Sequence, residues 1–160
     1  MAAKPRVMAV ASAGGHWIQL MRLRPAWAGL ETIYVSTDAG LETVLRQDAE
    51  RLKDPIGKFC SVTDANLKEK FRLLKQLLQL TWIMIRNRPD VVITTGAAPG
   101  YFAIRLGRLL GAKTIWVDSI ANADEMSLSG QRLKAHADVW LTQWQHLETP
   151  DGPKFMGAVI

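Results

Sequence analysis

Short apolar segments alternate with amphipathic helical patterns along the chain, and this alternation limits the folds available to it. Segments typical of strands cover residues 6–12, 32–36, 58–62, 90–95, 113–117 and 138–142. Helical patterns are predicted at about 16–27, 41–51, 67–88 and 99–110. Because parallel strands need long crossover connections, strand–helix alternation is typical of a parallel sheet covered on both faces. The sequence therefore predicts an α/β fold with a doubly wound, Rossmann-like sheet, in a single domain over residues 1–160.

The composition is typical of a globular domain that folds without disulfide bonds or structural metal ions. Of the 160 residues, 48% are hydrophobic and 22% are charged, which is ordinary for a folded domain. The single cysteine, Cys60, excludes an intramolecular disulfide and a cysteine-rich zinc site. We expect no metal site and no cofactor. No cleaved leader is evident. The longest uncharged stretches, 7–21 and 91–104, are shorter than the roughly 18 residues of a membrane span, so no spanning helix is expected.

The positive charge is concentrated in one predicted helix. Residues 67–88 contain six Lys and Arg residues and one Glu. The net charge of this segment, +5, equals the net charge of the whole chain. One apolar stripe of this helix is predicted to pack on the sheet, and its members are Leu67, Phe71, Leu74, Leu78, Trp82 and Ile85. A second stripe lies nearly opposite, with cations between the two.

This second stripe and its cations predict contact with an anionic membrane surface. The predicted contact residues are Lys68, Arg72, Leu73, Lys75, Leu77, Leu80 and Met84, with Arg86 on the same basic face. A subunit interface is the alternative, since a helix buried between chains also tolerates two apolar faces. Nucleic acid is not an expected partner because the segment lacks an aromatic stacking platform and a recognition helix.

Three loops follow predicted strands at the edge where ligands bind in parallel sheets, and two of them are rich in glycine. They are Ser12-Ala-Gly-Gly-His16, Thr94-Thr-Gly-Ala-Ala-Pro-Gly100 and Asp118-Ser-Ile-Ala-Asn122. Candidate acceptor-binding or phosphate-binding residues are Ser12, Gly14, Gly15, Gly96, Gly100, Ser119 and Asn122. Two glycine loops before helix N-termini favour a diphosphate or two phosphate-bearing ligands, although tight strand-to-helix connections look the same. The full G-x-G-x-x-G pattern is absent, so ordinary dinucleotide binding is not expected.

Two side chains in these loops are candidates for a general base. His16 can accept a hydroxyl proton at neutral pH, or it can serve only as a polar residue at a helix start. Asp118 is the second candidate, and a helix-capping carboxylate is the alternative.

Several of these segments together resemble a known family. The pattern of this family is matched by Ile115-Trp-Val-Asp-Ser119, Ser127-Leu-Ser-Gly130, Ala137-Asp138 and Thr142-Gln-Trp144. Both glycine loops and the segment Pro153-Lys-Phe-Met-Gly157 match the family in the same order. The chain resembles the acceptor-binding, membrane-associated subunit of split GT-B glycosyltransferases, which is the asparagine-linked glycosylation 14-like family with its bacterial PssD-like relatives in polysaccharide biosynthesis. The likeness covers nearly the whole chain.

The resemblance implies the N-terminal half of a GT-B glycosyltransferase of the MurG kind, with the donor-binding half on a partner subunit. It implies inverting, metal-independent transfer of N-acetylglucosamine or glucuronic acid from a UDP-sugar to a polyprenyl-diphosphate-linked glycan, in exopolysaccharide or lipid-linked oligosaccharide synthesis. Gly14, Gly15 and His16 would then face the acceptor diphosphate or hydroxyl, with Gly96 and Gly100 in the second loop. Relatives usually carry Glu where this chain has Asp118.

The resemblance also implies a location, and two other functions remain open. Eukaryotic members have an N-terminal membrane anchor, which we do not expect in this protein, and this expectation points to the bacterial branch and to peripheral attachment at the cytoplasmic face of the inner membrane. The chain could instead be a non-catalytic membrane anchor and acceptor platform for a catalytic partner. A third alternative is a nucleotide-dependent enzyme that acts alone.

Overall fold

Among the described residues, seven parallel strands form one sheet in the order β3-β2-β1-β4-β5-β6-β7. The structure is a computed structural model that describes residues 4–54, 56–66 and 68–159. The strands are β1 (Arg6–Val10), β2 (Glu31–Ser36), β3 (Lys58–Ser61), β4 (Val91–Thr94), β5 (Lys113–Val117), β6 (Val139–Thr142) and β7 (Lys154–Phe155). Strand β1 pairs with both β2 and β4, so the order of the strands reverses between β1 and β4. The predicted doubly wound parallel fold is confirmed.

In the part of the chain that the structure describes, five α-helices connect the strands. They are α1 (Gly15–Arg22), α2 (Leu41–Leu52), α3 (Lys70–Asn87), α4 (Ala97–Leu109) and α5 (Leu128–Arg132). The first helix ends five residues earlier than predicted, and a 3-10 turn with Pro25 follows it because proline has no N–H to continue the helix. Strand β7 was not predicted, since a strand of two residues is too short to give an alternating pattern.

Both faces of the sheet are buried, as the hydrophobic strands require. Along β1 the side chains alternate, with Met8 in the core under α3 and α4, and Val7 in the core under α1 and α2. Trp17 of α1 and Leu45 of α2 pack on the second face. The strand ends that carry the loops are thereby held between two layers of helices.

Helix α3 has the opposite orientation from the one predicted. Leu80 and Met84 are fully buried on the sheet, and Leu73 and Leu77 are half-buried. The outward residues, here named the exposed stripe, have exposed fractions of 90% for Phe71, 53% for Leu74, 61% for Leu78, 64% for Trp82 and 51% for Ile85. The prediction that Leu80 and Met84 contact a membrane is therefore wrong. Leu67, predicted in the sheet-facing stripe, lies outside the described residues.

Polar residues on the buried face of α3 explain this orientation. Gln76 is fully buried, and its Nε2 donates to the carbonyl of Thr63 at 2.8 Å. The amide N–H of Thr63 donates in turn to Gln79 Oε1 at 2.8 Å, and Asn87 Oδ1 accepts from Lys58 Nζ at 3.0 Å. Hydrogen bonds to β3 and to the segment after it thus orient the helix, and counting apolar positions misses them.

The N-terminal end of α3 also differs from the prediction. The helical pattern predicts a start at about residue 67, but Glu69 occupies the N-cap position and the helix begins at Lys70. Before it, Asn66 Oδ1 accepts from the amide N–H of Lys68 at 2.9 Å, which forms a turn. None of the described helices is both long and apolar enough to cross a membrane.

The Ala-Asp motif before β6 has a structural role. The Asp138 carboxylate accepts from the backbone N–H of Thr114 at 2.8 Å and from its hydroxyl at 3.0 Å, and it pairs with Arg108 at 2.7 Å. The pKa of Asp138 is held below its ordinary value, mainly by the Thr114 backbone hydrogen bond. Asp138 therefore joins β5, β6 and α4 at the edge opposite the loops.

Replacing Asp138 with alanine leaves the N–H of the fully buried Thr114 without its acceptor, so we expect the free energy of unfolding at pH 7 to fall by about 1–3 kcal/mol. Because the folded pKa is lowered, the charge-dependent stabilisation is complete above the ordinary aspartate pKa of about 3.9 and is lost as the pH falls through the folded value. Urea unfolding at several pH values should show that the difference in free energy of unfolding between the wild type and the alanine variant becomes smaller as the pH falls. Equal stabilities at pH 7 would contradict this role.

Candidate functional site

The candidate site lies where the strand order reverses, at the carboxyl ends of β1 and β4. The loops here lead into α1 and α4, whose N-cap residues are Gly14 and Gly96. Their φ angles of 81° and 125° are positive, a conformation that glycine adopts without strain. Neither helix receives a side-chain cap from the described residues, so the N–H groups of two first turns are left for a ligand. Two such turns side by side favour an anion.

His16 lies between these two turns in a defined orientation. Its Nδ1 is 2.8 Å from the carbonyl oxygen of Thr95, and the Thr95 hydroxyl donates to the carbonyl of His16 at 2.6 Å. Because a carbonyl only accepts, Nδ1 carries the proton of the neutral ring and Nε2 holds the lone pair. Nε2 has no hydrogen-bond partner in the described part of the chain. The tautomer suited to a general base is therefore the favoured one.

Gly96 makes room for this imidazole. A Cβ at position 96 would lie 2.8 Å from His16 Cε1 and 3.0 Å from Nδ1, which is too close for either atom. The next residue, Ala97, has a φ of 63°, an uncommon conformation for alanine. Glycine at 96 is therefore required both by the backbone conformation and by the position of the histidine ring.

A cavity of about 440 Å³ opens beside His16. The cavity brings together three predicted residues, since His16, Ser119 and Asn122 all line it. Sequence reasoning missed Glu125, an exposed carboxylate in the same lining, because the stretch around it has no periodic pattern or motif. Within residues 4–54, 56–66 and 68–159, no three His, Cys, Asp or Glu side chains are grouped so as to hold a metal ion.

The remaining predicted loop residues do not line this cavity. Gly14 and Gly15 are exposed at the start of α1, and Ser12 is half-buried just after β1. Gly100 is a correction, because it lies inside α4 and not in the loop. A Cβ there would be 2.1 Å from Thr94 Oγ1, so this glycine allows close packing of helix on strand.

Asp118 lies beneath the cavity with an exposed fraction of 2%. Its Oδ1 accepts from Trp116 Nε1 at 3.0 Å and from the Ser127 hydroxyl at 2.6 Å. Its Oδ2 accepts from Asn122 Nδ2 at 3.1 Å and from the Ser127 amide at 2.8 Å. With both oxygens occupied, the carboxylate holds the loop from β5 to α5 in place, which favours the structural alternative over the proposed base.

Two buried glutamines join the loops, namely Gln143 of the family pattern and Gln19, which sequence reasoning missed. Gln19 Nε2 donates to the Ser119 hydroxyl at 3.1 Å, and Gln19 Oε1 accepts from the Ile120 amide at 3.0 Å. Gln143 Nε2 donates to Gln19 Oε1 at 2.6 Å, and Gln143 Oε1 accepts from the Val159 amide at 2.8 Å. The Gln-Trp motif of the family pattern thus connects α1 and the cavity loop to the C-terminal segment.

A protein-family model described as "Oligosaccharide biosynthesis protein Alg14 like" matches residues 7–159. The chain belongs to this Alg14-like family. The UDP-N-acetylglucosamine transferase subunit ALG14 of Candida albicans is 27% identical over 150 residues, which cover 84% of this chain and 68% of the relative. The family predicted from the sequence motifs is confirmed.

Solved structures resemble the Alg14-like chain in fold. MurG of Acinetobacter baumannii has a TM-score of 0.67 at 17% identity, with 96% of this chain and 44% of MurG covered. A glycosyltransferase of Rickettsia africae has a TM-score of 0.62 at 15% identity, with 96% of this chain and 43% of that enzyme covered. A UDP-N-acetylglucosamine 2-epimerase has a TM-score of 0.68 at 16% identity, with 97% of this chain and 48% of the epimerase covered. The chain spans less than half of each protein, in agreement with the predicted equivalence to half of a GT-B enzyme.

Proposed function

We propose that this Alg14-like chain is the acceptor-binding subunit of a two-chain inverting glycosyltransferase whose partner binds the donor. The observation that carries the proposal is His16, which Thr95 holds between two helix N-termini so that its Nε2, without a partner among the described residues, lies at a cavity. The Candida relative is named as a subunit of a UDP-N-acetylglucosamine transferase, so that sugar nucleotide is the proposed donor. A UDP-glucuronic acid donor is the second one to test. The acceptor is a polyprenyl-diphosphate-linked glycan.

In this reaction His16 is the general base. Its Nε2 takes the proton of an acceptor hydroxyl while the hydroxyl oxygen attacks C1 of the donor sugar from the face opposite to UDP. The bond between C1 and the diphosphate oxygen breaks, and UDP leaves with the bonding electrons. Attack from the opposite face inverts the configuration at C1. The hydrogen bond to Thr95 keeps the proton on Nδ1 throughout the approach.

The other residues of the site bind and orient the acceptor. The first turns of α1 and α4, which begin at Gly15 and Ala97, offer N–H groups to the acceptor diphosphate. Ser119 and Asn122 line the cavity and can donate to glycan hydroxyl groups. Asp118 is a positioning residue, because its hydrogen bond to Asn122 fixes that amide.

The exposed stripe supports attachment to an anionic membrane surface. Its apolar side chains face away from the sheet, and exposed cations flank them on both sides at Lys68, Lys70, Arg72, Lys75, Arg86 and Arg88. A charged helix with an outward apolar face is typical of helices that lie in the membrane interface. Each cation near anionic lipid contributes about 1 kcal/mol. Peripheral binding at the cytoplasmic face of the inner membrane is therefore proposed through the exposed stripe and these cations.

Reconstitution tests the enzymatic proposal. The tagged chain is purified from its own cells with membranes retained, and the stoichiometric partner is identified by mass spectrometry. The pair and each chain alone are then incubated with radiolabelled UDP-N-acetylglucosamine or UDP-glucuronic acid and extracted polyprenyl-diphosphate glycans. We expect label in the lipid fraction only when both chains are present. Transfer by this chain alone, or no transfer by the pair from either donor, would overturn the proposal.

A further inference from the structure

Two buried glutamines form a chain of hydrogen bonds that ends at the Ser119 hydroxyl in the wall of the His16 cavity. Gln19, Gln143 and Ser119 have exposed fractions of 6%, 3% and 6%. Ser119 lines the cavity, whereas the two glutamines lie behind it. The proposed chemistry gives the glutamines no part. We name Gln143, Gln19 and Ser119, in this order, the amide relay.

The backbone determines which way each amide group of the relay points. Gln143 contacts the Val159 N–H, which can only donate, at 2.8 Å, and the Asp118 carbonyl, which can only accept, at 2.9 Å. The atom near Val159 is therefore Oε1 and the atom near Asp118 is Nε2. The Ile120 N–H, at 3.0 Å, identifies Gln19 Oε1 in the same way, and Gln143 Nε2 donates to that oxygen at 2.6 Å. Both amide orientations thus follow from the chemistry of the backbone.

The orientation of Gln19 determines which hydrogen bonds Ser119 can make. Because Gln19 Oε1 has other partners, Nε2 is the atom that faces the Ser119 hydroxyl, and it donates at 3.1 Å. The backbone N–H of Ala121 donates to the same hydroxyl oxygen at 3.3 Å. A hydroxyl group has two lone pairs and one proton, so both lone pairs are used and the proton remains. Among the described residues, no acceptor contacts that proton.

The His16 cavity can provide the missing acceptor in the form of a ligand atom. His16 and Ser119 line the same cavity. His16 offers a lone pair at Nε2 and Ser119 offers a proton, so the two side chains present opposite hydrogen-bonding groups to one ligand. A ligand oxygen at Ser119 must supply a lone pair, which phosphate, carbonyl and hydroxyl oxygens all do. In the proposed acceptor such oxygens belong to the diphosphate and to the glycan.

We propose that Gln19 and Gln143 are positioning residues that hold Ser119 as a hydrogen-bond donor to an oxygen lone pair of the acceptor. The inference rests on the proposed function for the identity of the acceptor. It adds that the polarity of this contact is set outside the cavity, by backbone groups of the loop after β5 and of the segment after β7. A Ser119 hydroxyl with the opposite polarity would present a lone pair, which repels the lone pair of the acceptor oxygen.

The variant Gln19→Glu tests this polarity with almost no change in shape. A carboxylate at position 19 can accept from Ile120 and Gln143 as the amide does, but it cannot donate to Ser119. The Ser119 hydroxyl then donates to the carboxylate and presents a lone pair to the cavity. In the reconstituted pair we expect KM for the lipid-linked acceptor to rise at least about threefold, as expected for the loss of one hydrogen bond, with kcat within about twofold of the wild type.

A double-mutant cycle shows whether the glutamine acts through the serine. Ser119→Ala removes the proton and should raise KM by a similar factor. Adding Gln19→Glu to Ser119→Ala should change KM by less than about twofold further, because the contact is already lost. Gln19→Met adds no charge and leaves the hydroxyl free to rotate, so its KM should lie between those of the wild type and Gln19→Glu.

Two controls exclude charge and unfolding as causes. Gln47→Glu makes the same chemical change on the exposed surface of α2 and should leave KM and kcat as in the wild type. Urea unfolding of each variant shows whether it is folded, and Gln19→Met takes the place of Gln19→Glu in the cycle if the buried carboxylate prevents folding.

Inorganic diphosphate, titrated into the full chain alone, distinguishes the two sources of the acceptor oxygen. Weaker binding by Ser119→Ala and Gln19→Glu assigns the contact to the diphosphate, whereas unchanged binding with a raised acceptor KM assigns it to the glycan. The inference is overturned if Ser119→Ala changes neither quantity, if kcat falls without a rise in KM, or if the effect of Gln19→Glu persists in the Ser119→Ala background.

These outcomes separate the relay from the transferase. If the wild-type pair transfers no sugar, the proposed function fails, and the relay stands only if diphosphate binding depends on Gln19 through Ser119. If the pair transfers sugar with the same acceptor KM for the wild type, Ser119→Ala and Gln19→Glu, and diphosphate binding is also unchanged, the proposed function stands and the relay is wrong.

Discussion

Replacing His16 with alanine is expected to lower kcat of the assembled two-chain transferase by about 10²–10⁴-fold, the usual contribution of a general base. The physical reason is the free Nε2 beside the cavity, which alanine cannot replace as a proton acceptor. Initial rates with labelled UDP-sugar at saturating acceptor measure the effect. The binding of the partner subunit, followed by co-purification, should not change.

Two further variants show whether the imidazole acts as a base or only as a contact. His16→Asn keeps an amide N–H that can donate to the Thr95 carbonyl but does not accept a proton at neutral pH, so its kcat should fall as far as that of the alanine variant. His146→Ala is the matched control, because that ring also contacts a backbone carbonyl, that of Ala123 at 2.6 Å, but does not line the cavity. If His16→Ala raises only KM for the acceptor, the chain is a platform and the catalytic base lies elsewhere.

Glu125 is the other proton acceptor that the cavity offers. It is exposed and lines the same cavity as His16. If His16→Ala retains its kcat while Glu125→Gln loses it, the role of base moves to Glu125 and the assignment of His16 is wrong.

The double variant Leu78→Glu with Trp82→Glu is expected to reduce binding to phosphatidylglycerol vesicles by about 100-fold. These side chains are 61% and 64% exposed, so most of their apolar surface is available to a bilayer. Losing two such contacts and adding two charges that anionic lipid repels accounts for a change of this size. Sedimentation with vesicles measures it, and wild-type binding should fall with added salt and with neutral lipid.

The matched control is Val44→Glu with Leu52→Glu on α2, which packs on the other face of the sheet. Val44 is 52% exposed and Leu52 is 55% exposed, so the control adds the same charges to a comparable surface. Its vesicle binding should be close to that of the wild type, and both double variants should unfold at similar urea concentrations. Unchanged vesicle binding of the stripe variant, together with loss of the partner subunit, would make the exposed stripe a subunit interface.

Much of the fold and part of the site could be predicted because they depend on local pattern. Each predicted strand is present, and the carboxyl ends of β1, β4 and β5 necessarily meet at one edge of a parallel sheet. The sequence therefore predicted that His16, Ser119 and Asn122 lie close together, and in the structure all three line one cavity. The roles of these residues stay predictions.

The errors arose where two local patterns were equivalent. Both stripes of α3 are apolar at helical spacing, and the hydrogen bonds of Gln76, Gln79 and Asn87 accompany burial of the stripe that contains Leu80 and Met84. Gly100 was predicted to belong to a phosphate-binding loop, yet the helix starts earlier and Gly100 allows close contact with Thr94. A glycine pattern in a sequence does not indicate which residues will lie against each glycine.

What the sequence determined by itself is the sheet, the edge at which the candidate site lies and the family, because strand and helix periods and ordered motifs are properties of the chain alone. The tertiary structure decided which ring nitrogen of His16 carries the proton and which face of α3 is exposed. It also decided that neighbouring groups donate hydrogen bonds to both carboxylate oxygens of Asp118. The first depends on a contact between residues 79 positions apart, and the other two depend on side-chain hydrogen bonds made between neighbouring segments of the fold. Such contacts have no period and therefore leave no pattern in the sequence.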